Sequence, residues 1–322
     1  MIQIQKIDLT LYRQFSFSLI SLIEKNLDLN LIGEYLNEIK EIGAHIFHEN
    51  INLAKQDLQD TKKAISAIDI PTDPNFSVNE NFVFGIATFV AIFSNITNPI
   101  CYEKNMPFRV HKATHSNVKD MDAMGIKLLN LEDKLGFHND GVVQPDKVEI
   151  PKHIALFNSF IGYKDAGYFH WVPSRLWENQ LNDKDLNYLK SNLAVVKLTP
   201  TVYEDSNGGY KKEGPSHVRA PLVWESETQE NRFFLNGDVS DENNERQLVE
   251  LFSSLRESIN NSPECISIAQ QERRAIFLNN TAGFHARDIF ADPISDIDLS
   301  RIFIRSVDSN CELCPQSSPI EF

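Results

Sequence analysis

From about residue 100 onward the apolar residues of this chain come in short runs, separated by polar residues, glycine or proline. Ile126–Leu129, His153–Phe160, Leu193–Leu198, Ala220–Trp224, Arg232–Leu235, Ala275–Leu278 and Arg301–Val307 have the length and composition of β-strands. A chain with so many short strands must close them into a sheet or barrel. Two helical patterns interrupt the strands, over about Ser174–Leu189 and Asn243–Ser258, and a polar stretch at 204–210 reads as a mobile loop. The first 95 residues differ. Leu19, Ile20, Leu22 and Ile23 form one apolar stripe, and Leu31, Ile32, Tyr35, Leu36, Ile39 and Ile42 recur at helical spacing. Ile70-Pro71-Thr72-Asp73-Pro74 breaks that pattern, and an apolar helix follows over about Glu80–Phe93. No repeat and no clean linker is visible. The expected architecture is α+β in a single domain over 1–322, with a mainly helical region 1–95 packed on a β core over 96–322.

Charge and length narrow the function classes. The formal net charge is −14, from 31 basic and 45 acidic residues. Binding nucleic acid needs clustered Lys and Arg, so nucleic acid is not the expected partner. The most apolar stretch, Phe82–Phe93, is too short to span a bilayer, and Met1–Lys6 does not open a secretory signal. Four cysteines are too few for a disulfide scaffold. A cytoplasmic protein acting on a small molecule, with no membrane partner, is expected. The oligomeric state is left open.

The candidate chemistry lies in two distant segments. In Gly136-Phe137-His138-Asn139-Asp140-Gly141, His138 and Asp140 are two apart, so on or beside a strand they face one side. His285 follows Asp140 by 145 positions, just after the strand expected at Ala275–Leu278. Two imidazoles and one carboxylate are the ligand set of a non-haem Fe(II) site with open coordination positions. On spacing alone, a locally hydrogen-bonded loop histidine is an equal reading of His138.

The residues around these three tip that balance. Leu135-Gly136-Phe137-His138-Asn139-Asp140-Gly141, the strand His153–Ser159, the run Phe277-Leu278-Asn279-Asn280-Thr281-Ala282-Gly283-Phe284-His285-Ala286-Arg287 and then Arg301-Ile302-Phe303-Ile304-Arg305 occur in a telling order. The combination resembles the clavaminate synthase-like, taurine dioxygenase-like branch of Fe(II)/2-oxoglutarate oxygenases, over roughly residues 100–307. The resemblance implies a double-stranded β-helix, or jelly roll, with flanking helices. It implies that His138, Asp140 and His285 ligate iron and that Arg301, 16 residues after His285, pairs with the distal carboxylate of 2-oxoglutarate. Arg305 would lie near a substrate or cosubstrate carboxylate, and Arg287 would be a structural ion-pair partner. The family usually has a Thr about 25 residues after the acidic ligand. Here 165–170 contains none, and Tyr168 is the hydroxyl that could stand in for it.

The activity so implied is a dioxygenase using Fe(II), 2-oxoglutarate and O2. It would hydroxylate an unactivated C–H bond and release succinate and CO2. Related halogenases have Gly or Ala where this chain has Asp140, so a carboxylate there points to hydroxylation or another oxygenase outcome. The substrate class implied is a free L-amino acid, a basic one included, or an amino-acid-derived metabolite. The alternative is a sulfonate, a small acid or a carrier-bound intermediate. A different class, a non-catalytic metal-binding β-barrel or a zinc hydrolase, is disfavoured by the arginine pair, which a hydrolase does not need. Other candidates read more plainly. His111 and His115 are weak candidates for a second metal site, His45 and His48 read as solvated, and Cys311-Glu312-Leu313-Cys314 reads as two tail cysteines.

Overall fold

A computed structural model describes residues 2–23, 27–114, 131–144, 146–198, 201–204, 210–213, 215–295 and 297–320. The strand expected at Ile126–Leu129, His115, and the centre of the polar loop at 204–210 lie outside the described residues. Ten strands make the two sheets that carry the site. They are β1 (Ile4–Lys6), β2 (Ile65–Asp69), β3 (Arg109–Thr114), β4 (Leu135–His138), β5 (His153–Ile161), β6 (Tyr168–Pro173), β7 (Ile266–Ala269), β8 (Arg274–Asn279), β9 (Gly283–Arg287) and β10 (Leu299–Val307). The larger sheet has the order β1-β2-β8-β5-β10-β3, and the smaller the order β7-β6-β9-β4. Ile65, Ala67, Ile154, Ile276 and Leu278 of the larger sheet share one buried cluster with Phe169, Trp171 and Ile268 of the smaller.

The expected strands around the site stand, each shifted by a residue or two. Two short strands accompany the helices of the N-terminal region: β1 and β2 extend the larger sheet, β2 pairing with β8 from Arg274 to Leu278. The helix expected over 174–189 is two, Arg175–Glu178 and Asp183–Ser191. The break falls at Asn182, whose side chain caps the second helix by accepting from the Asp185 N–H at 2.9 Å.

The remaining N-terminal residues form helices Leu9–Leu22, Asn30–Glu34, Leu36–Ile46 and His48–Gln59, then the long helix Val78–Ile96. Ser77 starts the long helix with a capping box, taking the Glu80 N–H at 3.2 Å while Glu80 takes the Ser77 N–H at 2.7 Å. Its residues from Val83 to Ser94 are all buried. Phe89 stacks on Phe157 of β5 and Phe277 of β8, at 5.5 and 5.9 Å between ring centres. The helix thereby backs the face of the larger sheet turned away from the smaller one. Cys311–Cys314 is not a loose tail: it pairs as a strand with Val148–Pro151, and burial pushes the Cys314 thiol up to about 12.

Candidate metal centre

The sheet pairing explains how residues so far apart in the chain meet. β9 runs antiparallel to β4, and His285 is the direct cross-strand partner of His138. Their rings lie 4.2 Å apart between centres. Asp140 follows β4 at the next same-side position. Its Oδ1 faces both imidazoles, 3.5 Å from His138 Nε2 and 3.9 Å from His285 Nε2. These three residues are the metal-ligand cluster found among the described residues.

Asn139, between the two ligands, points away and holds the segment in register. Its amide donates to the Phe233 carbonyl at 2.8 Å and accepts from the Leu235 N–H at 2.8 Å. Asn280, fully buried in the turn before β9, holds the backbone of Asp140 from the other side. It accepts the Asp140 N–H at 2.8 Å and donates to the Asp140 and Pro151 carbonyls, each at 2.9 Å. Neither asparagine was given a role from the sequence. Asn280 falls in the quoted motif, but its task depends on a chain partner 140 residues away.

The protonation pattern suits a metal. His138 Nδ1 lies 2.9 Å from the Gly136 carbonyl, which can only accept, so Nδ1 donates there and Nε2 is the nitrogen turned toward Asp140. Burial pushes His285 down to about 3, with His138 adding to the effect, so His285 is neutral. Burial opposes ionisation of Asp140, yet the Arg305 guanidinium beside it is the largest opposing effect, and the carboxyl is held well below the usual carboxylate range. One carboxylate and two imidazoles, converging on one point, are a donor set that fits a divalent ion.

Arg305 of β10, expected near a substrate or cosubstrate carboxylate, lies against Asp140. Its Nε and Nη2 both donate to Asp140 Oδ2, at 3.1 and 2.6 Å. That leaves Oδ1 turned to the imidazoles.

Arg301 lies deeper on the same strand and is 6% exposed. It donates through Nε and Nη2 to Asn158 Oδ1 at 2.7 and 2.5 Å, and through Nη2 to Gln270 Oε1 at 3.5 Å. Its guanidinium sits 4.2 and 5.1 Å from the ring centres of Phe303 and Phe290. Burial, with Arg287 adding repulsion, weakens its charged form. An arginine nonetheless stays protonated. Among the described residues no carboxylate lies within ion-pair distance of Arg301, so this buried cation is matched by amide oxygens alone. Arg287 donates to the Asp288 carbonyl at 3.0 Å and faces Phe290.

Tyr168 is not brought to this site. In the β6–β9 pairing Trp171 is opposite His285 and Phe169 opposite Arg287, so Phe169 and Trp171 share the ligand face. Phe169 stacks on His285 at 5.6 Å. Tyr168 has the opposite parity, and its side chain, 50% exposed, neighbours His170 on the other face.

No protein-family model and no curated protein sequence matches this chain. Solved structures do. An asparagine oxygenase in complex with Fe(II), (2S,3S)-3-hydroxyasparagine and succinate is similar with a TM-score of 0.67 at 12% identity, over 95% of this chain and 93% of that one. The non-haem iron oxygenase OrfP in complex with Fe and α-ketoglutaric acid has a TM-score of 0.62 at 11% identity, over 96% and 95%. An α-ketoglutarate-dependent taurine dioxygenase, so described provisionally, from Burkholderia xenovorans has a TM-score of 0.51 at 15% identity, over 85% and 86%. At such identities the likeness establishes the fold: a mixed α/β, many-stranded fold shared with Fe(II)/2-oxoglutarate oxygenases.

Proposed function

We propose that this protein is an Fe(II)- and 2-oxoglutarate-dependent dioxygenase that hydroxylates a small substrate, a free L-amino acid or a metabolite made from one. The observation that carries the reading is the pairing of two features. A His-Asp-His cluster converges on one point, and a buried arginine with no carboxylate partner among the described residues stands on the neighbouring sheet. Oxygenases with bound hydroxyasparagine or hydroxyarginine are among the similar structures, which supports an amino-acid substrate. The two packed sheets fit a double-stranded β-helix. A single domain fits too, because the long N-terminal helix shares a core with β5, β8 and β10.

His138, Asp140 and His285 would hold Fe(II). Arg301 would pair with the distal carboxylate of 2-oxoglutarate, restoring charge balance to a guanidinium whose acceptors among the described residues are neutral amide oxygens. Asn158 keeps the guanidinium plane fixed while that carboxylate arrives. Arg305 holds Asp140 by one oxygen and so aims the other at the metal. With O2, bound iron and 2-oxoglutarate supply an oxidant able to take hydrogen from a C–H bond, giving succinate and CO2. The protein's part is to orient the ligands and to keep the site dry, with Phe169 packed on His285 and Phe290 and Phe303 around Arg301. No helix among the described residues is long and apolar enough to cross a membrane. The four cysteines are free, which suits the reducing cytoplasm expected for it.

A zinc hydrolase is the competing class, and anaerobic binding separates the two. Metal-free protein loaded with Fe(II) should bind 2-oxoglutarate without O2, and admitting O2 should yield succinate slowly even without a substrate. Failure of 2-oxoglutarate to bind the Fe(II)-loaded protein would sink the oxygenase reading.

A further inference from the structure

His111 has no task in the chemistry above, yet it stands beside it. On β3 it is the direct partner of Phe303 on β10, with 5.8 Å between ring centres. Residues two apart on a strand face one side, so Arg109 and His111 share a face with Arg301, Phe303 and Arg305. That is the face from which Arg305 reaches Asp140. His111 is 6% exposed, and its Nε2 is buried without a hydrogen-bond partner among the described residues. A histidine present only to fill the core would leave that nitrogen unsatisfied, a cost that an aromatic hydrocarbon of similar shape avoids.

The charge around the ring is one-sided. Burial first, then Arg305, Arg109 and Arg301, pushes His111 down to about 3, against a smaller opposing effect of Asp140. The ring is therefore neutral near pH 7 and offers one N–H and one lone pair. An ammonium group brought to this wall would meet like charge, whereas an oxygen acceptor would meet N–H donors.

Building on the oxygenase reading, we propose that His111 is a substrate-contact residue, whose Nε2–H donates to an oxygen of the amino acid to be oxidised, its carboxylate or a side-chain oxygen. The amino acid then lies with its oxygen-bearing end against β3 and its ammonium turned away from the arginines.

The test uses the Fe(II)-loaded protein and a panel of the free L-amino acids. Those that raise succinate formation are taken as substrates, and KM is measured for the wild type, His111→Phe and His111→Gln. His111→Phe should raise KM for the amino acid at least tenfold, leaving 2-oxoglutarate binding and substrate-free succinate formation within twofold of wild type. His111→Gln, which keeps an N–H donor, should recover part of the loss. An unchanged KM in His111→Phe overturns the assignment, as does a loss of substrate-free turnover that accompanies the KM change in both variants. If no amino acid raises succinate formation, the proposed contact falls while intact substrate-free turnover leaves the oxygenase reading in place.

Discussion

Asp140 is shared between two imidazoles and an arginine, and that division of its two oxygens is the central residue-scale fact. Oδ2 takes both N–H groups of Arg305, and Oδ1 faces the imidazoles. Arg305→Lys keeps a positive charge but loses the fork that fixes the carboxylate plane. It should weaken Fe(II) binding by about 10- to 100-fold, the usual size of an outer-partner effect, in a direct metal titration. Arg301→Gln should behave differently. A charge-assisted hydrogen bond contributes about 1.5–3 kcal/mol, so 2-oxoglutarate affinity should fall by roughly 10- to 150-fold while Fe(II) affinity holds. Loss of iron in Arg301→Gln, with 2-oxoglutarate affinity intact, would contradict the assignment. That His138 and Asp140 could share a side was readable from sequence because alternation along a strand is a local rule. The clamps, Asn139, Asn280 and Asn158, were not, since each acts on a partner brought in by the fold.

At the scale of elements, one arginine ties the N-terminal helices to the sheet. Arg273 precedes β8 in a left-handed conformation, with φ of 64°. It donates to the carbonyls of Ile70 at 3.1 Å, Asn81 at 2.8 Å and Pro71 at 2.5 Å, and to the Tyr12 hydroxyl at 3.1 Å. Removing it leaves buried acceptors unmet at about 1–3 kcal/mol each. Arg273→Ala should thus lower stability by several kcal/mol, read from the urea midpoint. Gly85 in the long helix makes room for this group. A Cβ there would sit 2.7 Å from Arg273 Nη1. In an open helix Gly→Ala gains about 1 kcal/mol. Gly85→Ala should instead destabilise, because the guanidinium cannot retreat without giving up its acceptors; a raised melting temperature would refute this. The helix itself was legible from its apolar run and from Ser77 and Glu80. Strands β1 and β2 were not. They are short, lie beside helical patterns and form by adding to an existing sheet.

At the scale of the whole molecule, burial of two imidazoles sets a dependence on pH. His111 and His285 are both pushed down to about 3 when folded, chiefly by burial. In the unfolded chain each would titrate near 6.5. The folded values lie below the unfolded ones, so the unfolded state binds more protons between about pH 6.5 and 3. Stability of the metal-free protein should be full above that range and fall as pH drops through it, by up to about 2 kcal/mol per imidazole at pH 5. His111→Phe should flatten the urea-midpoint profile by one proton's worth, and a profile unchanged by that substitution would count against a neutral buried His111. Acidic composition alone could not foresee this, because it counts charges and not their burial.

The sequence by itself set out the candidate ligands and their order along the chain. His138 and Asp140 share a side by strand alternation, and the run to His285, Arg301 and Arg305 carries its own order. The tertiary structure decided what those groups face. It set Arg305 on Asp140 and Arg301 on Asn158 and Gln270, turned Tyr168 outward and brought His111 in. The reason is register. A strand presents one of two faces, and a shift of one residue exchanges them, so the pairing of distant strands selects which side chains meet.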